Sequence, residues 1–554
     1  MHIDPTATGS RITLTALLLA FVVLVSPRVS KSQVTSVKVA DAECAKCHQE
    51  IYRKYLATPM ANASGQANEK LMPATFVHKA SGIEYILSMV GGHASLDYQD
   101  LRDATGKGRL SLNYFLGSGH LGTTYLYSVD NYLFESPVAW YADSRSYDMK
   151  PGLAEISEKP PSLPMQSSCL RCHMSAVRAS DSGTINRYQG APFLHTGITC
   201  EACHGDAQQH VRTAGKSSVL NPIKLNADLR DSICISCHLE GDVTVERAGH
   251  SALQYRPGES ISKYLAFYVY GGANPTSRGV SEVEQFAQST CKRVSGEKMS
   301  CTNCHDPHFT PDAQQRTAFY RSKCLACHSE PQFALSHHPE NPDCTSCHMT
   351  RSGAQNIPHV AWTDHRILKL PASVKTETRT QAQEQLAPVF SPGATKRDLA
   401  MAYYLKMLDG DRTAESRAWE QLNQEKDEIH DDPAALEALG VMEAESGDGK
   451  NAEQTFQRVL ELDPHDLTAL SNLGTLLAKQ GKLKEAASLL QAAFDRNRNI
   501  SGLAMNLARV ECMSGDAKSA RSTLETTLVY NPDLESVRRL MKELSSCAKT
   551  DAGQ

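Results

Sequence analysis

The sequence predicts a mainly α-helical chain in two blocks, a front block of short helices, long loops and a small β-hairpin region, then a solenoid of paired helices. Three observations predict it. Cysteine and histidine are concentrated between residues 41 and 366, a stretch rich in Pro, Thr, Gln and Glu follows, and beyond it Ala, Leu, Glu, Lys and Gln recur at helical spacing with a fixed period. At 554 residues the chain exceeds what one core organises, so several domains are expected. A formal net charge of -5 supplies no basic field for a phosphate backbone, which excludes nucleic acid as a partner class.

The first element is a leader over residues 1–33. Arg11 precedes an apolar run over residues 12–25, closed by Pro27, Arg28 and a polar stretch to Gln33. That is the pattern of a secretory signal peptide, and it predicts an exported, periplasmic bacterial protein. The run is shorter than the ~18–20 residues of a spanning helix, so an uncleaved N-terminal anchor is the alternative, and no later segment is apolar enough to span.

In the block expected at 40–366, seven cysteine pairs share one spacing, and a histidine directly follows each. In chain order, motifs 1 to 7 are Cys44, Cys47, His48; Cys169, Cys172, His173; Cys200, Cys203, His204; Cys234, Cys237, His238; Cys301, Cys304, His305; Cys324, Cys327, His328; and Cys344, Cys347, His348. Two thiols three positions apart lie on one side of a helical turn, where they can add to the two vinyl groups of one porphyrin. The adjacent imidazole then reaches the iron as proximal ligand. Zinc sites need no histidine after each pair, and redox dithiols come singly, so the set predicts seven covalent haems c with their iron. Attachment to reduced thiols occurs outside the cytoplasm, in agreement with the leader.

The motifs use 14 of the 17 cysteines, leaving Cys291, Cys512 and Cys547; for the last two, a disulfide and a pair of buried free thiols both stand open. Eleven further histidines fall in the block, and those expected as distal iron ligands are His78, His120, His210, His308, His338, His359 and His365. His308 follows His305 too closely to pass round a porphyrin edge, so as a ligand it serves a neighbouring haem; the same reach argument applies to His210 after His204. Such crossed ligation pins haems together. His93 and His250 read as surface or hydrogen-bonded residues, and Met174 and Met349 are poorly placed to ligate. Between residues 75 and 144, Leu126, Val129, Leu133 and Phe134 flank Asp130-Asn131, which predicts the small hairpin.

A linker is expected at 367–396, with Pro371, Pro388 and Pro392. In the solenoid at 397–548, Gly440, Gly474 and Ala508 stand 34 residues apart, as do Ala452, Ala486 and Ala520, with Leu439, Leu473 and Leu507 before the first set. Pro464 and Pro532 close the first and third units, and Arg498 takes that place in the second. This 34-residue pattern resembles the tetratricopeptide repeat, with three clear units over 433–534, a degenerate unit before them and a capping helix after Leu534. Phe456 is the clearest surviving aromatic position. Repeat arrays dock peptides and helices, which implies redox partner proteins.

Further phrases carry a second resemblance. They are Cys44-Ala-Lys-Cys47-His48 with Thr58-Pro59-Met60, Gly117-Ser118-Gly119-His120, Pro137-Val138-Ala139-Trp140-Tyr141, Cys200-Glu201-Ala202-Cys203-His204-Gly205, Asp306-Pro307-His308 and Asp364-His365-Arg366. Residues 41–366 look like the multihaem cytochromes related to the tetrahaem electron acceptor of hydroxylamine oxidoreductase. The resemblance implies a mainly helical fold with stacked and perpendicular haem pairs and mostly bis-histidine iron. It also implies distal roles for His120, His210, His308, His359 and His365. Seven haems exceed the family's four, and no CxxCK motif of the pentahaem nitrite reductases occurs. Three functions follow: electron transfer with the repeats docking a partner; as the alternative, reduction of nitrite, hydroxylamine or a similar small nitrogen or sulfur species at one open haem; or a scaffold in which the repeats are primary.

Overall fold

The computed structural model describes residues 40–103, 106–160, 162–271, 278–330, 333, 337, 340–353, 361–369, 385–532, 534–544 and 547. The leader, His338, His359 and residues 370–384 of the expected linker lie outside the described residues.

The first half of the front block is β, where the sequence predicted only a small hairpin. Strands β1 (Ser64–Gln66), β2 (Ala74–His78), β3 (Ile83–Val90), β4 (His93–Asp100), β5 (Lys107–Leu116), β6 (Gly122–Val129), β7 (Tyr132–Tyr141), β8 (Ser146–Met149) and β9 (Leu163–Pro164) form one antiparallel sheet. The order is β2-β3-β4-β5-β6-β7-β8, with β1 on β5 and β9 on β7. Its end strands β2 and β8 lie against each other, so the sheet is curled and barrel-like. The expected hairpin is present as β6–β7: Val129 pairs with Tyr132, and Asp130 and Asn131 have φ of 49° and 67°. Both turn residues are thus left-handed, which matches the strand twist.

The correction has a physical source. In β3 the side chains of Ile83, Tyr85 and Leu87 point inward and alternate with half-exposed Glu84, Ile86 and Ser88, the period-2 pattern of a half-buried strand. Gly91-Gly92, both at positive φ, makes a second tight hairpin to β4. Tyr85, Leu87, Leu96, Phe115, Tyr125, Tyr127, Phe134 and Val138 fill the interior. Each large side chain so buried contributes about 1.5–3 kcal/mol.

Beyond this sheet the block becomes the expected short helices and loops. Strands Val243–Glu246, Leu265–Tyr270 and Leu386–Val389 form a smaller sheet. The last of these falls inside the stretch expected to be linker, so that stretch is in part structural. Pro388, with no N–H to donate, sits on the outer strand opposite Tyr268.

The solenoid follows as helices α1 (Lys396–Leu408), α2 (Glu415–Gln424), α3 (Pro433–Glu445), α4 (Gly449–Leu462), α5 (Leu467–Lys479), α6 (Leu483–Arg496), α7 (Ser501–Met513), α8 (Ala517–Leu528) and α9 (Glu535–Leu544). The small residues of the repeat are a packing requirement. A Cβ on Gly440 would stand 2.8 Å from Cε1 of Phe456, and one on Gly474 would stand 2.8 Å from Cγ of Leu490. α1 and α2 form the degenerate unit, and α9 caps the array with Val537 and Leu540 buried. Cys512 and Cys547 are joined by a disulfide with Cα atoms 5.7 Å apart, so of the two open readings the buried free thiols fall. Among the described residues no helix is long and apolar enough to cross a membrane.

Candidate haem centres

Four of the motifs share one local turn, and motif 2 departs from it, with the His173 N–H donating to the Leu170 carbonyl at 2.9 Å. In motifs 1, 3, 5 and 6 the second cysteine and the histidine both donate their backbone N–H groups to the first cysteine's carbonyl, at 3.2 Å and 2.9–3.0 Å. This single helical turn places the two thiols on one side and carries the imidazole beyond them. Motif 4 ends the helix Ala227–His238, and motif 7 forms Cys344–His348 with Asp343 accepting from the Thr345 N–H at its start.

Four proximal imidazoles stand opposite a second imidazole from elsewhere in the chain. His48 and His210 have ring centroids 6.4 Å apart with planes inclined 13°, and His204 and His308 are 5.9 Å and 14°. His305 and His365 are 6.2 Å and 31°, and His348 and His337 are 5.9 Å and 20°. A metal–nitrogen bond of about 2 Å on each side, plus about 1 Å from nitrogen to ring centre, puts two rings ligating one metal about 6 Å apart. The four separations of 5.9–6.4 Å match that spacing.

Hydrogen bonds select the nitrogen left for that iron. Nδ1–H donates to a backbone carbonyl in His204 (Leu220, 2.9 Å), His210 (Ser217, 2.7 Å), His348 (Leu368, 2.7 Å) and His365 (Thr363, 2.9 Å). A carbonyl can only accept, so each ring is held as the tautomer whose Nε2 lone pair is available, the arrangement metal-bound histidines use. Burial holds His305 down to about 4, with His365 adding to the shift, and burial with help from His204 lowers His308. Both effects favour the neutral, ligating imidazole.

The other expected distal ligands fare differently. His78 is buried in β2 with Nδ1 on Ser81 Oγ at 2.8 Å and Nε2 on the Ala154 carbonyl at 2.9 Å, so neither nitrogen faces a metal. Its role is structural, and the expectation for it is corrected. His120 is exposed between β5 and β6 and, among the described residues, is not brought against a proximal histidine. His337 is the ligand candidate that sequence reasoning passed over in favour of its neighbour His338. Its backbone N–H bonds to the Phe333 carbonyl at 2.9 Å, and its ring lies 4.8 Å from that of Phe333, which in turn stacks on His328 at 5.1 Å. The double histidine was the only signal.

The thiols show which motifs adjoin. Cys44 shares a hydrogen bond with Cys200, which lowers Cys44 and raises Cys200, and the Cys200 N–H donates to Asp41 at 3.0 Å. Cys172 and Cys237 share another, pushing Cys172 well up and holding Cys237 at about 5, while buried Arg171 donates to the Ser236 carbonyl. Cys234 and Cys301 form a third such pair. Burial pushes Cys203 up to about 12 with Cys237 adding to it, and burial and then Cys344 raise Cys324 to about 12. Cys304 is raised by burial and by Cys291, with Cys327 also nearby. Motif 1 thus adjoins 3, motif 4 adjoins 2, 3 and 5, motif 5 adjoins 6, and 6 adjoins 7.

Comparison with known proteins supports haem binding at motifs of this kind. A family model described as cytochrome c554 and c-prime matches residues 142–205, one for a doubled CXXCH motif matches 294–333, and one for the tetratricopeptide repeat matches 443–501 and 477–544. The multihaem cytochrome MtrA of Shewanella baltica (strain OS185) is 25% identical over 184 residues, 29% of this chain and 52% of that protein. The chain spans about half the length of this curated relative. Among solved structures, pilF of Pseudomonas aeruginosa is 24% identical over 27% of this chain and 67% of its own, with a TM-score of 0.25. MamA of AMB-1 is 18% identical over 28% and 90%, also with a TM-score of 0.25. Motifs and matches together support multihaem c-type binding of haem through CXXCH motifs in the front block and tetratricopeptide repeats in the C-terminal one.

Proposed function

We propose that this chain is an exported electron carrier that holds seven haems c in one connected series. Bound haem c supplies a one-electron ferric–ferrous couple whose potential follows its axial ligands. The fourteen motif cysteines bind the rings, and the seven motif histidines are the proximal ligands. His210, His308, His365 and His337 are the distal ligands for motifs 1, 3, 5 and 7.

The observation that carries the reading is the crossing of those partners. His210 follows motif 3 but faces His48 of motif 1, His308 follows motif 5 but faces His204 of motif 3, and His365 follows motif 7 but faces His305 of motif 5. Sites 1, 3 and 5 are therefore each completed only when the next odd-numbered segment is in place. That fixes neighbouring sites at contact, as electron exchange requires, and two imidazoles per iron favour lower potentials than an imidazole with a thioether. Branching at motif 4 joins motif 2 to the series, and motifs 1 and 7 are its ends. The match over 142–205 supports kinship with the tetrahaem electron acceptor of hydroxylamine oxidoreductase. The N-terminal signal pattern, the Cys512–Cys547 disulfide and the likeness to a multihaem cytochrome support export to the periplasm.

The test is an intact mass on the purified, coloured protein beside a haem quantitation. The polypeptide plus seven haem masses is expected; a smaller whole number, or colour that acidified acetone extracts, refutes the series as drawn.

A further inference from the structure

The repeat array makes extensive contact with its own front block, and the contacts recur at the period of the repeat. The loops that end α4, α6 and α8 place His465, Asn497 and Asn531 along one edge, with Asn497 and Asn531 one 34-residue unit apart. The segment that follows motif 2 lies on this edge. Arg496 donates to the Ser182 carbonyl at 3.2 Å, Asn497 to the Gly183 carbonyl at 2.8 Å, and Asn499 to Asn186 Oδ1 at 3.0 Å. Gly183 has φ +70° and approaches so closely that a Cβ there would meet the His465 carbonyl at 2.7 Å. One unit further on, Asn531 Oδ1 accepts from the Ser162 N–H at 3.0 Å, and Tyr530 is buried in the core of the large sheet, edge-on to Tyr132. Asn186, Asn497 and Asn499 are each 5% exposed or less, so these amide bonds are made out of water, where losing one costs most.

The other end of the array docks on the segment that follows motif 4. Arg397 of α1 donates to the Glu246 carbonyl at 2.7 Å, and the buried Arg247–Asp398 pair is at 3.0 Å. Val243, Val245, Tyr268 and Tyr270 share one apolar core with α1 to α7. The array therefore spans the segments that follow motif 2 and motif 4, the two motifs joined by Arg171 and Ser236 and by Cys172 and Cys237.

We propose that the repeat array is an internal strut: the partner that its loop edge fits is this same chain, and its task is to hold motif 2 against motif 4. A covalently linked partner is present at all times, so this edge is closed to exchangeable redox partners. The proposal deepens the electron-carrier reading and rests on haem being held at both motifs. His173 is tied into the same frame, since its carbonyl accepts from Ser64 Oγ at 2.7 Å and Ser167, at the start of the short helix Ser167–Leu170 before it, donates to the Arg178 carbonyl at 2.8 Å.

The experiment uses the full-length, haem-loaded protein with Asn497→Ala/Asn499→Ala, and Lys484→Ala on an exposed turn of α6 as control. Two readouts are taken: amide hydrogen exchange over residues 178–188, and amide hydrogen exchange over residues 232–238, which hold motif 4 and the Ser236 carbonyl that Arg171 reaches. Exchange faster by about tenfold or more in both segments, with haem content unchanged, is expected. Faster exchange over 178–188 alone overturns the strut and leaves a mere packing contact; unchanged exchange overturns the docking itself. Should the double variant not accumulate, Asn499→Asp alone is read by the same two criteria. A haem count below seven with both motif 2 and motif 4 loaded would refute the series and leave the strut standing, so the two failures are distinguishable.

Discussion

His305 and His365 face each other with ring centroids 6.2 Å apart, although 60 residues and two further CxxCH motifs separate them in the chain. His365 is held from both sides: its Nδ1–H donates to the Thr363 carbonyl, and its backbone N–H donates to Gln285 Oε1 at 2.7 Å. Its ring is thus aimed before any ligand arrives, which lowers the ordering cost of binding.

Removing that imidazole should open one iron position without releasing the haem, because the thioethers of Cys301 and Cys304 and the ring of His305 remain. His365→Ala is expected to give a high-spin component equal to about one haem and carbon monoxide binding in the same amount after reduction. Visible spectra before and after carbon monoxide decide it, and a spectrum identical to the parent's refutes the pairing.

His308 lies three residues past His305, yet its ring stands against His204. His308→Met should therefore change the motif 3 haem and leave the motif 5 haem alone. A thioether in place of the imidazole raises one midpoint potential, on the order of 100 mV. Potentiometric titration of this variant and of a Cys301→Ser/Cys304→Ser variant separates the two sites: the raised component must persist in the combined variant. Its disappearance would assign His308 to its own motif.

The haem ligands were legible to different depths for physical reasons. The CxxCH spacing is local, because one helical turn suffices to set two thiols and an imidazole, and the same turn recurs at Cys44, Cys200, Cys301 and Cys324. Distal candidates come from sequence-remote segments: of the expected ones His210, His308 and His365 stand opposite a motif histidine, while His78 gave no sign that Ser81 and Ala154 would take both its nitrogens. The 34-residue period was legible because Gly440 and Gly474 are sites of close approach. The large sheet was not, apart from Asp130-Asn131: its strands carry Glu84, Ser95 and Asp97 among their apolar residues, and period-2 patterns of that length are weak beside seven cysteine motifs.

The close approach at Gly440 makes a stability prediction. A valine there must displace the buried ring of Phe456, whose Cε1 and Cδ1 would stand 2.8 and 3.0 Å from the new Cβ. Gly440→Val should destabilise the array by about 1–3 kcal/mol through overpacking. Loss of helical circular dichroism on heating, at lower temperature than the parent but with the same haem spectrum at 20 °C (about room temperature), is the expected result.

The disulfide from Cys512 of α7 closes a 35-residue separation around α8 and α9. Cys547→Ser should loosen α9, whose Val537 and Leu540 cover the end of the array, and lower its local stability by about 2–4 kcal/mol. Faster hydrogen exchange confined to residues 535–544 checks it; uniform change along the array would show the bond to act globally.

Glu511, also in α7, gives the array a pH dependence whose sign can be worked out. Burial is the largest cause that pushes its carboxyl up from 4.5 to about 7, the Thr523 hydroxyl opposes this by donating at 3.0 Å, and the Asp516 charge adds to it. The unfolded chain has the ordinary value, so between pH 4.5 and about 7 the folded array retains a proton that the unfolded one has released. Stability contributed by the protonated form is complete below 4.5 and is lost as pH rises through this window. Glu511→Gln keeps the shape and removes the titration. Thermal melts from pH 4 to 8 (a range about this window) should therefore show a shallower decline in the variant, with a gain on the order of 1 kcal/mol at neutral pH once solvent screening is allowed for. Parallel curves for the two proteins would mean that Glu511 titrates alike in the folded and the unfolded chain.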